Sequence, residues 1–99
     1  MLTQAEYNEW QQILDLIKSS TESNQHEMLL TMLLTADERE ALISRVNICC
    51  ELLKGELSQR QISNKLGVGV ATITRGSNEL KLKSENEKAQ ISSLLGLKS

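Results

Sequence analysis

Residues 58–81 read SQRQISNKLGVGVATITRGSNELK, and this stretch decides the fold. It spells two short helices joined by a glycine-bounded turn. Ser58 caps the first helix, and Gln61 three residues on completes a capping box. Ile62 and Leu66 lie four apart and share one face. Gly67 stands where a helix that must stop needs a residue tolerant of positive φ. Gly69 lets the chain re-enter a helix whose inward positions, by three- and seven-residue spacing, are Val70, Ile73 and Leu80. A helix-turn-helix of this kind places the start of its second helix in the major groove of DNA. The alternative for the same pattern is an αα-hairpin that only packs.

Working outward, Thr35 with Glu38 forms another capping box and opens the longest helix, which runs to about Lys54 and stops at Gly55. Leu42, Val46, Cys49 and Leu53 make one stripe of it, widened by Ile48 and Leu52. Before it, Asn24 with Glu27 opens a helix through Met28, Leu29, Leu30, Met32, Leu33 and Leu34. That helix is apolar around most of its circumference and needs burial on several sides. We read it as part of an intertwined dimer; the alternative is a central core helix in a monomer. Thr3 with Glu6 predicts the start of a first helix carrying Tyr7, Trp10, Ile13, Leu14 and Ile17. Ser19, Ser20, Thr21 and Ser23 read as the polar linker that ends it. After Lys81, Ser84 with Glu87 opens a last helix with Ala89, Ile91, Leu94 and Leu95. The expected fold is all-α, with six helices and no strands.

Composition agrees. The chain has 99 residues, no Pro and no Phe, and Tyr7 and Trp10 are its aromatic residues. Such a chain is one helical domain packed on aliphatic side chains, and at this size oligomerisation is a common source of stability. The absence of a membrane-length apolar run or a signal-peptide pattern predicts a cytoplasmic protein without a membrane partner. Cys49 and Cys50 are adjacent, so a structural disulfide between them is not expected. The net charge of −2 hides a gradient. Residues 1–44 carry net −6, residues 45–81 net +3 and residues 82–99 net +1. Positive charge therefore gathers on the reading head, where phosphates would be met.

One local conflict stands out. Val70, Thr72, Ile73 and Thr74 are β-branched, and Gly76, Ser77 and Asn78 follow, so the second helix of the reading head is built from mediocre helix formers. It needs tertiary contacts to hold it, and a ligand wedged behind it could gate it.

LTADEREAL at 34–42, RV at 45–46, ELLKGELSQR at 51–60 and GVGVATITRGSNELK at 67–81 resemble the bacterial tryptophan repressor family, with the likeness spanning about residues 28–81. Glu9-Trp10 also fits that family's first helix. The resemblance implies a six-helix intertwined homodimer, with residues 1–57 and 82–99 as dimerisation core and 58–81 as reading head. It implies free L-tryptophan as co-repressor, with no other cofactor and no metal, and repression of tryptophan-biosynthesis genes at a palindromic operator. The two recognition helices would sit about one DNA turn apart, a spacing of roughly 34–36 Å already known for this family.

By the same resemblance, Arg75 receives the ligand carboxylate and Arg45 forms the second plane of a guanidinium sandwich around the indole. Thr35, Met32 and Leu34 come from the other subunit and match positions that receive the carboxylate and ammonium ends. Ile48, Cys49 and Gly76 match the pocket wall. On the DNA side, Arg60 matches a direct guanine contact. Val70, Ala71, Thr72 and Thr74 match groove-facing positions, where this family is itself the known example of water-mediated contacts. Ser44, Gln59, Ser77 and Lys81 match phosphate-facing positions. Three departures carry expectations. Glu79 replaces the family's usual Ser near the ligand ammonium, and either pairs with that ammonium or closes onto Arg75. Ser63 and Asn47 replace Lys and Arg, which predicts a weaker salt dependence of operator binding. Cys49 replaces a pocket-wall Val as a small hydrophobe.

Rival readings are a helix-turn-helix regulator of the same superfamily with another effector or none, and a helical dimer that binds a protein through its apolar second helix. An enzyme is not expected. His26 is the single histidine, and the sequence shows no metal-ligand cluster, paired nucleophile or phosphate loop.

Overall fold

The computed structural model describes residues 5–97. It consists of α1 (Trp10–Glu22), α2 (His26–Leu33), α3 (Ala36–Lys54), α4 (Gln59–Leu66), α5 (Val70–Lys81) and α6 (Glu85–Leu94), with no strand among the described residues. The chain divides into two compact units at Glu38/Arg39, near the start of α3.

Three of the expected capping boxes form. Thr35 N–H donates to Glu38 Oε1 at 2.8 Å, and Glu38 N–H returns to Thr35 Oγ1 at 3.1 Å. Ser58 and Gln61 repeat the exchange at 2.8 and 3.1 Å, and Ser84 and Glu87 at 2.9 and 3.1 Å. Each satisfies two helix-end donors that would otherwise lack partners.

In the first unit the element boundaries differ from expectation. Thr3 lies outside the described residues, and α1 begins at Trp10 with Glu9 as its cap. Gln12 Oε1 accepts from Glu9 N–H at 3.0 Å and Asn8 N–H at 2.9 Å, so the glutamine side chain organises this end. Tyr7 therefore precedes the helix. Ser19, Ser20 and Thr21 do not break α1 but lie inside it. Ser20 and Thr21 hydroxyls donate back to the Ile17 carbonyl at 2.8 and 2.9 Å, and Ser23 Oγ to Ser19 O at 3.1 Å. Such i−3 and i−4 bonds let a helix continue through polar residues. The turn falls at Asn24, whose φ of +59° is left-handed. Asn24 therefore cannot cap α2, which starts from Gln25 without a side-chain cap bond. Between α1 and α2 lies a hollow of about 650 Å³, with Leu16, Met28, Leu29 and Met32 in its walls. No residue of α2 is buried in the single chain, and Met32 is 83% exposed.

The second unit is built around Ile48 of α3, Ile62 of α4 and Ile73 of α5, the last two completely buried. Leu52, Leu57, Leu66 and Val68 pack against them. The inner face of α3 is thus the Ile48–Leu52 side, whereas Leu42 and Val46 of the expected stripe are 47% and 43% exposed. Gly67 has φ +68°, and both Gly67 N–H and Val68 N–H donate to Ser63 O at 2.9 and 3.3 Å. Ser63 Oγ donates in turn to Val68 O, so this hydroxyl fastens the turn to the helix it ends. Gly69 has φ −68°, which any residue adopts, and its expected flexibility is not used. Val70 is 46% exposed rather than inward. Helical side chains tilt toward the N-terminus, so the first residue of α5 points past the helix end instead of onto its packed face.

Glu51 is buried at 7% exposure and accepts from Lys65 Nζ at 2.9 Å, with Lys54 Nζ 3.5 Å away. The Lys65 hydrogen bond, helped by the charges of Lys54 and Lys65, holds the Glu51 carboxyl below the ordinary carboxylate range against the opposing pull of burial. This bridge ties α3 to α4.

Two predictions follow from this packing. Ile62→Ala removes a completely buried side chain and should destabilise the protein by about 2–5 kcal/mol, read as a fall in the urea midpoint at unchanged slope. A carboxyl whose pKa is depressed on folding stabilises the fold above its unfolded pKa and loses that contribution as pH falls through its folded one. Lys65→Met should therefore be less stable than the wild type near neutrality. The gap should close on acidification, as Glu51 protonates below the ordinary carboxylate range; a gap that does not change with pH would refute the bridge.

Candidate effector cleft and nucleic-acid interface

Two helical stripes face one another in the second unit. Ala41, Ser44, Arg45 and Ile48 recur along α3 at three- and four-residue steps, and Thr72, Arg75, Gly76 and Glu79 recur along α5 in the same way. Together they line a cleft of about 460 Å³. Its reach into the helix pair is set by Gly76. A Cβ on Gly76 would meet Ile48 Cγ2 at 3.4 Å and Leu52 Cδ1 at 3.6 Å, so α5 lies close on α3 there. Beside it is a smaller apolar pocket of about 270 Å³, sharing Arg45, Gly76 and Glu79 and walled by Cys49, Leu52, Leu80, Lys83 and Ile91.

The structure brings Arg45, Ile48, Arg75, Gly76 and Glu79 to one cleft, with Cys49 in the adjoining pocket. Both guanidiniums are exposed, free to meet a ligand from the solvent side. Burial, and secondarily the neighbouring Cys50, raises the Cys49 thiol pKa, as expected for an unreactive wall residue. Met32, Leu34 and Thr35 belong to the first unit and are not among the residues that line the cleft. The Thr35 hydroxyl accepts from Glu38 N–H, which leaves its own proton available to a ligand. Ala41, Leu52, Leu80, Lys83 and Ile91 were not singled out from the sequence. Ala41 was legible, one turn before Arg45 on the same face; Ile91 is on α6, and no local pattern connects it to α3.

The residues expected to meet DNA occupy α3, α4 and α5. Arg60, Val70, Ala71, Thr72, Thr74 and Lys81 are exposed, and Ser44, Gln59 and Ser77 are half-buried. Ser44 and Thr72 also line the cleft, so two of these positions serve the space behind α5. Gln59 and Thr74 are joined by a 2.7 Å side-chain hydrogen bond that links the start of α4 to the first turns of α5. Thr74 Oγ1 also lies 3.0 Å from Val70 O. Of the cations counted in residues 45–81, Lys65 of α4 and Lys54 of α3 are engaged with Glu51.

Other chemistries find no such constellation. Among the described residues no three His, Cys, Asp or Glu side chains gather as a metal site, and His26 is an exposed residue at the start of α2. No helix among them is long and apolar enough to cross a membrane.

Comparison with known proteins places this geometry. A Vibrio vulnificus protein described as a Trp operon repressor homolog is 72% identical over 96% of this chain and 93% of its own length. Homologs of the same description from Vibrio atlanticus and Vibrio cholerae are 66% and 67% identical, over 96% of this chain and 97% and 92% of theirs. Residues 8–95 match the family described as Trp repressor protein. The chain belongs to the Trp repressor family.

Proposed function

We propose that Arg45 and Arg75 clasp L-tryptophan in the cleft between α3 and α5, and that the bound ligand fixes α5 for operator binding. Family membership makes the protein a tryptophan-responsive, DNA-binding transcriptional repressor and not an enzyme. L-tryptophan is its co-repressor, and its partners are operator DNA and a second copy of the chain.

The observation that carries the reading is the convergence of two guanidiniums on opposite walls of one cleft, with an apolar pocket beside them. A planar guanidinium takes a carboxylate through two parallel hydrogen bonds and also stacks on an aromatic ring. Arg75 supplies the first interaction and Arg45 the second, while Ile48, Gly76 and Cys49 offer apolar wall to the indole. Thr35 and the carbonyls around Met32 and Leu34 reach the ligand from the partner subunit. Residues 1–57 and 82–99 form the dimerisation core, supported by the exposed apolar side chains of α1, α2 and α3. Residues 58–81 form the reading head, with Arg60 on guanine, Val70, Ala71, Thr72 and Thr74 at the groove, and Ser44, Gln59, Ser77 and Lys81 on phosphates. The protein works in the cytoplasm, where both the metabolite and the operator are found.

A gel-shift titration of a palindromic operator at fixed salt, with and without each free amino acid, tests this. L-tryptophan should raise operator affinity. Arg75→Ala should weaken tryptophan binding by about ten- to a hundredfold, the scale of a lost charge-assisted bond, and abolish the stimulation. Equal operator affinity with and without tryptophan would refute the reading. Gly76→Ala separates fold from site. Alanine is a better mid-helix residue by about 1 kcal/mol, and its methyl makes ordinary contacts with Ile48 and Leu52, so thermal stability should rise. The same methyl narrows the cleft, and calorimetry should show tryptophan binding weakened about tenfold or more.

A further inference from the structure

Glu51 of α3 is the one buried carboxylate among the described residues, and it lines neither the cleft nor its adjoining pocket. Its Oε2 accepts from Lys65 Nζ at 2.9 Å, and Lys54 Nζ lies 3.5 Å away. Lys65 stands in the last turn of α4, whereas Gln59 and Arg60 stand in the first. Between them Ile62 is completely buried in the core shared with α3 and α5. The first turn of α4 is tied to α5 through the Gln59–Thr74 bond, and the last turn is tied to α3 through Glu51. Apolar burial is non-directional, so a short helix held through one buried side chain can still rock about it. By helix rise, Lys65 lies about 4.5 Å beyond Ile62 along the axis and Arg60 about 3 Å before it. A shift at one end is therefore answered at the other.

We propose that Glu51 is a positioning residue for DNA recognition: by gripping Lys65 it sets the direction of α4, and with it the place where Gln59 and Arg60 meet the operator. This rests on the DNA-facing placement of Gln59 and Arg60 proposed above and deepens it. A buried ion pair adds little net stability over an apolar pair of the same size. What it adds is direction, since a charge-assisted hydrogen bond holds both a distance and an angle. Glu51 touches no DNA and acts through Lys65. By charge alone a carboxylate near phosphates opposes DNA binding, so its removal would strengthen the complex. The positioning role predicts the opposite sign.

The test is fluorescence anisotropy of the palindromic operator duplex titrated with the intact dimer, at saturating L-tryptophan and over a range of salt. Glu51→Gln, which keeps shape and removes charge, should bind the operator about tenfold more weakly than wild type, the scale of one misaligned base contact. Lys65→Met should lose as much, the double variant no more than either single one, and Lys65→Arg should stay close to wild type. Calorimetric tryptophan affinity of Glu51→Gln should remain within about twofold of wild type, because the effector site is separate. Operator binding by Glu51→Gln as tight as wild type, or tighter, overturns the proposal. So does an equal fall in tryptophan and operator affinity, which marks a general loss of structure. A salt slope lower by about one in Lys65→Met overturns it too, by making Lys65 a phosphate contact. Absence of operator binding by the wild type overturns the DNA reading, and this proposal with it.

Discussion

The approach of α5 to α3 at Gly76 is the contact on which the remaining architecture depends. Because residue 76 has no side chain, Ile48 and Leu52 come within van der Waals reach of the α5 backbone. Ile73, one turn earlier, is completely buried in the same core. Toward that core the two helices are packed tightly. Toward the solvent they diverge into the cleft flanked by Arg45 and Arg75. A larger residue at position 76 would fill part of the cleft, and a smaller one does not exist. The glycine costs helix propensity in a segment already rich in β-branched residues, so α5 is a weak helix along the wall of the cleft. Effector control needs an element whose position is under-determined without the effector, and this sequence supplies one.

The apolar inventory of a single chain explains why the protein pairs with a second copy. Among the described residues the buried hydrophobic side chains are Ile48, Ile62 and Ile73, whereas Trp10, Met28, Met32, Leu33, Ile43 and Leu94 are among those more than half exposed. Each large aliphatic side chain is worth about 1.5–3 kcal/mol when buried. Three of them cannot offset the conformational entropy of ordering more than ninety residues. The deficit is concentrated in α1, α2 and α6, none of which has a buried apolar side chain. The fully buried side chains lie instead on α3, α4 and α5. α3, α4 and α5 therefore share a small core of their own, while the flanking helices leave their apolar side chains without one in the single chain.

What was legible in the sequence follows the range of the interactions involved. Capping boxes at Thr35, Ser58 and Ser84 each need residues three apart, and all three form as read. The left-handed turn at Gly67 is equally local. The reading failed where local patterns compete. Ser19, Ser20 and Thr21 look like a linker, yet the Ser20 and Thr21 hydroxyls find the Ile17 carbonyl one turn back and the helix runs on. Asn24 has a capping side chain but is taken by the left-handed turn, which leaves α2 without its expected cap. The cleft residues Arg45, Ile48, Arg75, Gly76 and Glu79 came from the family resemblance and not from a spacing rule. The pocket wall contributed by Ile91 and the Glu51–Lys65 bridge join residues far apart in sequence, and no spacing rule reaches them.

That bridge changes how the DNA-facing charge should be counted. Composition assigns residues 45–81 six cations, but Lys65 and Lys54 converge on one buried carboxylate and stabilise the junction of α3 and α4. Arg45 and Arg75 line the cleft between α3 and α5. Arg60 at the first turn of α4 and Lys81 at the last turn of α5 are exposed cations outside both groups. Ser63 adds nothing to this count, because its hydroxyl is committed to Val68 O inside the turn. Attraction to phosphates adds over the two heads of a dimer but is blind to sequence. Discrimination has to come from the fit of both heads to the two halves of the operator. On the reading proposed above, that fit is what a ligand between α3 and α5 would control by positioning α5.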